Sequence, residues 1–387
     1  MAHPRRIRRL LAIGHSYCVG LNRRLPNEIA RIASCDWSVT AVAPEHFYGD
    51  LRPIRTQAEA GELSELKTVP AFFSRRTHLF VYSRKLAAIL REPWDVIHCW
   101  EEPFIPAGGQ VAWWTPRRTP LVFWTGQNIP KRYPPPFTTI ERYCVDRCAG
   151  WMARGQTGLD ALLSKGYGRR PHHAVPLGVD TECFRPNAAA RNHVMRHLDW
   201  SEKGPPVVGF AGRFVEEKGV RMLTAALDEL RSEWRGLFVG GGPLETELRH
   251  WGQRHGGRVR IVTGVDHDAV PSYLNAMDLL CAPSQTRVNW REVFGRMLIE
   301  AFACGVPVVA SDSGEIPYVV QNAGVIVGEL DRPGLVEALG KLVDNPDCRR
   351  KLGVRGLERA RTVYSWPAVA RQHLEFLEQV VETREVS

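Results

Sequence analysis

Arg291-Glu292-Val293-Phe294-Gly295-Arg296-Met297-Leu298-Ile299-Glu300, continuing as Ala301-Phe302-Ala303-Cys304-Gly305-Val306-Pro307-Val308-Val309, carries the pattern of a strand-helix-strand unit. Phe294, Met297, Leu298, Ala301 and Phe302 recur at the spacing of one buried helical face, so a helix is predicted from near Phe294. Gly305 and Pro307 stop it. Eight helical steps leave Glu292 and Glu300 roughly 80° apart around the axis, so they cannot share a face. Glu292 is therefore expected in the loop before the first turn and Glu300 in the second turn. The unpaired N–H groups of that first turn make an anion site, and Phe294-Gly295 lets a phosphate come close. A carboxylate beside an anion is repulsive unless it accepts hydrogen bonds from hydroxyls, which points to a ligand with phosphate in its middle and a polyol at each end. Two solvated glutamates flanking a core helix are the plain alternative.

Upstream, Val207-Val208-Gly209-Phe210-Ala211-Gly212-Arg213-Phe214-Val215-Glu216-Glu217-Lys218-Gly219 reads as a buried strand, a glycine turn and a helix start. Arg213 offers a planar fork to phosphate and Lys218 a mobile point charge, both suited to a diphosphate leaving group. An arginine and a lysine solvated at a helix end are the alternative. Leu237-Phe238-Val239-Gly240-Gly241-Gly242-Pro243-Leu244 repeats the strand-to-glycine pattern, so a second loop can bring backbone near the ligand.

In order across roughly residues 205–330, these segments resemble the retaining glycosyltransferases of family 4. That pattern is a G-R-x4-K-G loop, a G-x-G-P-L-like turn, an E-x7-E segment with F-G after the first glutamate, a C-G-x-P-V-V strand and an S-x-x-G-x-x-P turn. The last is Ser311-Asp312-Ser313-Gly314-Glu315-Ile316-Pro317 here. The resemblance implies an α/β protein of the GT-B fold, two Rossmann-like doubly wound parallel-sheet domains facing a central cleft. It implies that Arg213 and Lys218 hold the nucleotide diphosphate, that Glu292 binds donor-sugar hydroxyls and that Glu300 binds the ribose. Gly212, Gly242, Pro243, Leu244, Phe294 and Gly295 would line the donor, with Gly264 and Val265 near the base. The donor would be a UDP or GDP sugar, with no metal or other cofactor required. Front-face attack would pass the acceptor proton to the departing phosphate. On this view Lys218→Ala greatly weakens nucleotide diphosphate binding and turnover and leaves the fold intact.

With 387 residues, 44% of them hydrophobic, the chain suits two domains. The expected division is an acceptor-binding domain over 1–186, a polar linker over 187–204, a nucleotide-sugar domain over 205–362 and a C-terminal helix over 363–387 crossing back to the first domain. Strands are expected at Leu10–Ile13, Val39–Val42, Val96–His98, Leu121–Trp124 and Trp151–Ala153. A second set is expected at Val207–Phe210, Leu237–Val239, Val259–Val262, Leu279–Cys281, Val308–Ala310 and Val325–Val327. Val175-Pro176-Leu177-Gly178-Val179-Asp180 resembles the family's closing strand of the first domain.

Nine cysteines without CxxC or zinc spacing favour reduced thiols in the cytoplasm. No apolar run approaches the ~20 residues of a membrane span, and the basic start to Arg9 lacks a signal-peptide core. A net charge of +9 suggests attraction to something anionic. Much of the excess sits at Arg5, Arg6, Arg8, Arg9, Arg23, Arg24, Arg75, Arg76, Arg84 and Lys85. Lacking interleaved exposed aromatics or a recognition helix, it does not read as a nucleic-acid surface. Phe72-Phe73-Ser74-Arg75-Arg76 suits peripheral contact with an anionic membrane, where lipid-linked acceptors are found, as well as it suits an ordinary basic surface.

The expected partners are a nucleotide sugar and a glycan or lipid-linked acceptor. On the acceptor side the residues are less explicit. The first loop has only Gly20 where the fold commonly has a double glycine, leaving Asn22 or Arg23 to substitute for backbone donors. Gln127 and Asn128 follow the strand Leu121–Trp124, and neither works as a base near neutral pH. His98 and Glu102 stand at another strand end, where open parallel sheets bind ligands, although His98 also fits a core imidazole. A general base, if used, must come from elsewhere. A nicotinamide-dependent oxidoreductase would require G-x-G-x-x-G after the first strand, and Gly14 and Gly20 do not fit that spacing. A catalytically silent nucleotide-sugar-binding protein would be expected to lose Lys218 or Glu292, and both are present.

Overall fold

The structure is a computed structural model that describes residues 6–48, 53–201 and 203–385. Arg5 of the basic group and the last two residues lie outside these ranges. The chain divides into two compact units, 1–176 with 366–387, and 177–365.

Unit 1 carries seven parallel strands: β1 (Arg8–Ile13), β2 (Trp37–Pro44), β3 (Glu65–Val69), β4 (Val96–Cys99), β5 (Leu121–Thr125), β6 (Gly150–Ala153) and β7 (His172–Ala174). Their order in the sheet is β7-β6-β5-β4-β1-β2-β3. The five expected strands all form, each an apolar run buried on both faces. The edge strands β3 and β7 carry Glu-Leu-Lys-Thr-Val and His-His-Ala, half-exposed sequences without an apolar run to announce them. Two short hairpins, His46–Tyr48 with Pro53–Arg55 and Ala71–Phe72 with Val81–Tyr82, add to this unit.

Unit 2 carries β8 (Val207–Arg213), β9 (Arg235–Gly241), β10 (Val259–Val262), β11 (Leu279–Ala282), β12 (Val308–Ser311) and β13 (Gly324–Val327), in the order β10-β9-β8-β11-β12-β13. Helices between them, and the helix Arg332–Asp344 after the last, pack Leu223, Leu227, Leu248, Trp251, Leu339 and Leu342 onto the sheet around Trp234 and Phe238.

Two expectations need correction. The segment 187–204 is no linker: Ala188–His197 is a helix within unit 2, capped where Asn187 Oδ1 accepts from Ala190 N at 3.0 Å. Its polarity is that of its exposed face, while Val194 and Met195 are buried and Arg191 reaches Asp278 at 3.2 Å. Val175–Asp180 is not a strand beyond one bridge, Val179 to Ser365. The helix expected from near Phe294 forms and starts two residues later, running Arg296–Ala303, because Gly295 takes a left-handed φ of 78° as its cap. The C-terminal helix spans Trp366–Glu385 and packs on the helix Gly20–Ile32 of unit 1. Among the described residues, no helix is long and apolar enough to cross a membrane.

Candidate functional site

In unit 2 the connection from β8 leads to β9 on one side, while β11 lies on the other, so the sheet changes direction between β8 and β11. A crevice at the carboxyl ends of the strands flanking such a point is where open parallel sheets take ligands. Lys218 follows β8 and Ser284 follows β11. Their loops touch because residue 219 is glycine: its φ is 70°, and a Cβ there would come within 1.8 Å of the Pro283 carbonyl oxygen.

The crevice gathers an ion pair. Lys218 Nζ lies 2.5 Å from Glu292 Oε2, the same oxygen accepts Ser284 Oγ–H at 2.9 Å, and the Trp290 ring stands 5.1 Å from the ammonium. Both charged side chains are largely buried, at 13% and 7% exposure. The Glu292 backbone is clasped by the Ser311-to-Gly314 turn. Glu315 N donates to Glu292 O at 3.1 Å, and a Cβ on Gly314 would meet that oxygen at 2.1 Å. The S-x-x-G signature thus aims the first glutamate of E-x7-E.

Glu300 lies in the second turn of Arg296–Ala303 and is buried. Burial pushes its carboxyl up to about 7, against the pull of Arg296. A carboxyl in that state changes charge near neutrality. Arg213, at the end of β8, is exposed and reaches Glu217 at 3.5 Å, apart from the Lys218 pair. The Gly242-Pro243-Leu244 turn is pinned to the Phe214 loop, with Leu244 N donating to Phe214 O at 3.0 Å. Leu244 itself is buried in the core, which corrects its assignment as a ligand contact, while Gly242 and Pro243 stay exposed. Gly264 has a left-handed φ and open space around it, beside half-buried Val265. Phe294 is buried against Tyr364, and Gly295 caps the helix.

The acceptor-side candidates in unit 1 fare unevenly. Arg23 is fully buried and spent: it donates to Glu62 Oε1 at 2.5 Å, Tyr17 O at 2.7 Å and Gln57 O at 2.6 Å. It therefore ties the first loop together and has no fork left for a diphosphate. Asn22 donates to Ser16 O at 2.8 Å in the same loop. His98 is a core residue packed on Trp124 and His373, and burial pulls its imidazole down to about 3. Glu102 accepts Gly126 N at 2.9 Å and the Thr125 hydroxyl, and Arg154 stands 3.8 Å away. Gln127 Oε1 accepts from Lys165 Nζ at 3.1 Å, and Asn128 is buried beside it.

Sequence reasoning passed over His15, whose Nδ1 lies 2.6 Å from Glu101, and Tyr82, whose hydroxyl donates to Glu101 at 2.5 Å. The adjacency of β1 and β4 that brings them together is a property of strand order, which local sequence does not show. Among the described residues no group of three or more His, Cys, Asp or Glu is placed to hold a metal ion.

Residues 205–345 match the family model described as glycosyl transferases group 1. The matched segment contains Lys218, Ser284, Glu292 and Glu300. Over 212 residues the chain is 32% identical to the GDP-mannose-dependent alpha-(1-6)-phosphatidylinositol monomannoside mannosyltransferase of Mycobacterium tuberculosis, covering 52% of this chain and 54% of that protein. Over 215 residues it is 30% identical to the 2-deoxystreptamine glucosyltransferase of Streptomyces kanamyceticus, covering 54% of each. The chain spans about half the length of the curated relatives it matches. The fold is GT-B: sucrose-phosphate synthase from Thermosynechococcus elongatus superimposes with a TM-score of 0.73 at 20% identity, over 97% of this chain and 100% of that one. Anabaena HepE in complex with UDP gives 0.72 at 18% identity, over 96% and 100%.

Proposed function

We propose that this chain is a retaining, metal-independent glycosyltransferase that moves a hexosyl group from a UDP or GDP sugar to a hydroxyl of a glycan or lipid-linked acceptor. The observation that carries this is the Lys218–Glu292–Ser284 constellation at the switch point of unit 2. It supplies a cation for a departing diphosphate beside a carboxylate for sugar hydroxyls. Catalysis would consist mainly of holding the two substrates and stabilising the charge that develops on the diphosphate. Lys218 would meet the phosphates from the β8 loop and Arg213 from the strand end. The N–H groups at the start of Arg296–Ala303 would add their partial positive charge. Glu300 would accept the ribose hydroxyls, and Gly264-Val265 would border the base.

The named relatives support a lipid-linked or small polyol acceptor. The bare rings of Phe72 and Phe73, 54% and 74% exposed next to Arg75 and Arg76, support peripheral contact with an anionic membrane. The nine cysteines, all free, support a reducing compartment such as the cytoplasm.

The experiment is thermal stability against UDP, GDP, ADP, CDP and NAD, with and without the matching sugars. A ligand that binds only the native state raises the melting temperature. One nucleoside diphosphate stabilising the protein, and failing to do so in Lys218→Ala, is the expected result. Stabilisation by NAD alone, or by nothing in the panel, overturns the proposal.

A further inference from the structure

Between Ser284 and Glu292 the chain makes a tight hairpin, Arg287–Trp290. Arg287 N donates to Trp290 O at 2.7 Å, and Trp290 N donates back to Arg287 O at 3.2 Å. Its root is fastened on both sides. Gln285 N donates to Glu217 O at 2.8 Å, which joins the hairpin to the loop that carries Lys218. Thr286 N and Oγ both donate to the Glu329 carboxylate, at 2.6 and 2.5 Å, and Thr286 Oγ lies 3.1 Å from Ser313 Oγ. Arg287, Val288 and Asn289 at the turn are exposed. Trp290 is half-buried and turns back under the Lys218 ammonium, which sits over its ring at 5.1 Å from the centroid.

Among the described residues the ammonium thus has two anchors of different kinds, the Glu292 carboxylate at 2.5 Å and the Trp290 ring. A carboxylate holds a cation by charge and hydrogen bonding, and a ligand whose hydroxyls donate to that carboxylate draws it away. A ring face attracts the cation as a whole and uses none of its three N–H donors, so these stay available to a phosphate. A lysine with no anchor must be ordered at the moment it meets its ligand, and the lost rotamer freedom weakens binding.

We propose that Trp290 is a positioning residue whose ring keeps the Lys218 ammonium in place for the diphosphate when the donor sugar engages Glu292. The proposal rests on the transferase reading and adds the second anchor that this exchange of partners needs. In the free protein Glu292 alone is enough to order Lys218. Once sugar hydroxyls donate to Glu292, the ring is what still holds the cation beside the oxygen on which charge develops. Trp290 acts through Lys218 and takes no part in bond making.

A double-mutant cycle on nucleoside diphosphate affinity tests this. UDP and GDP are titrated calorimetrically into wild type, Trp290→Leu, Glu292→Gln and Trp290→Leu/Glu292→Gln, with the melting temperature showing that each is folded. With Glu292 present, Trp290→Leu should change the affinity by no more than about 2-fold, because the carboxylate still orders Lys218. Where Glu292→Gln has taken the charge from that anchor, the same substitution should weaken binding about 10-fold. Trp290→Phe/Glu292→Gln should recover most of the loss, since a phenyl ring keeps a π face. In turnover of the matching nucleotide sugar, which itself occupies Glu292, Trp290→Leu alone should lower kcat by about 10-fold or more, and Trp290→Phe by much less.

An equal loss of affinity in both backgrounds marks a structural role and overturns the proposal. So does no loss in either background, or a phenylalanine variant no better than the leucine one. If neither UDP nor GDP binds the wild type, the transferase reading has failed and the positioning role falls with it. Binding and turnover with an additive cycle sink the positioning role alone.

Discussion

Lys218 Nζ and Glu292 Oε2 stand 2.5 Å apart, so the cation proposed for phosphate and the carboxylate proposed for sugar neutralise each other. Removing one partner strands the other in a largely buried position. Lys218→Ala should therefore lower stability by about 3 kcal/mol as well as weaken nucleotide binding, which revises the sequence expectation of an intact fold. In the double variant Lys218→Ala/Glu292→Gln most of that stability should return. A chemical-denaturation double-mutant cycle measures this, and additive losses would show the pair to be uncoupled.

Glu292→Gln has the opposite bearing on the ligand. It releases Lys218 from a competing carboxylate, so a bare nucleoside diphosphate should bind at least as tightly as in wild type, while sugar transfer falls. Calorimetric titration beside turnover separates the two effects. Equal losses in both would remove Glu292 from the sugar.

The carboxyl of Glu300, pushed up to about 7 by burial, makes two trends run against each other. Between its ordinary value of 4.5 and about 7 the native state holds a proton the unfolded chain has released, so this group's contribution to stability falls as pH rises through that window. If Glu300 holds the ribose as proposed, nucleotide affinity should rise through the same window, because the ionised form would accept its hydroxyls. Glu300→Gln should flatten both profiles, read by melting temperature and nucleotide titration from pH 5 to pH 8.

His98 and His373, packed at 5.1 Å in unit 1, are both held neutral by burial. Each is depressed relative to the unfolded chain, so stability present above pH ~6.5 is lost as pH falls, at about 1.4 kcal/mol per pH unit per histidine at most. His373→Phe should reduce the acid slope of unfolding followed by circular dichroism. An unchanged slope would mean that the acid sensitivity arises elsewhere.

Gly219→Ala tests the loop contact that delivers Lys218. The left-handed φ and the approach of the Pro283 carbonyl leave no room for a methyl group, so a loss of about 2 kcal/mol or more is expected. Retained melting temperature would mean the two loops can separate without cost.

The buried strands of both units were legible because each is a short apolar run, and the unit 2 crevice because its residues lie in compact, ordered motifs. What escaped was set by long-range contact. Arg23 looks like an anion-binding arginine until the carbonyls of Tyr17 and Gln57 and the Glu62 carboxylate close on it. Glu101 and Glu102 are adjacent in sequence, and only the placement of Tyr82 and His15 shows that the first holds the imidazole. The helix at Ala188–His197 was hidden because its polar surface outweighs its two buried residues.

The bridge from Val179 to Ser365, reinforced by Val179 N donating to Tyr364 O at 2.8 Å, joins the first and last turns of the chain in unit 2. Unit 2 is thus a cassette spliced into unit 1, with its entry and exit zipped together. A single proteolytic nick at either crossing would leave it docked on its own ends, and excision of 177–365 would yield a piece whose termini already meet.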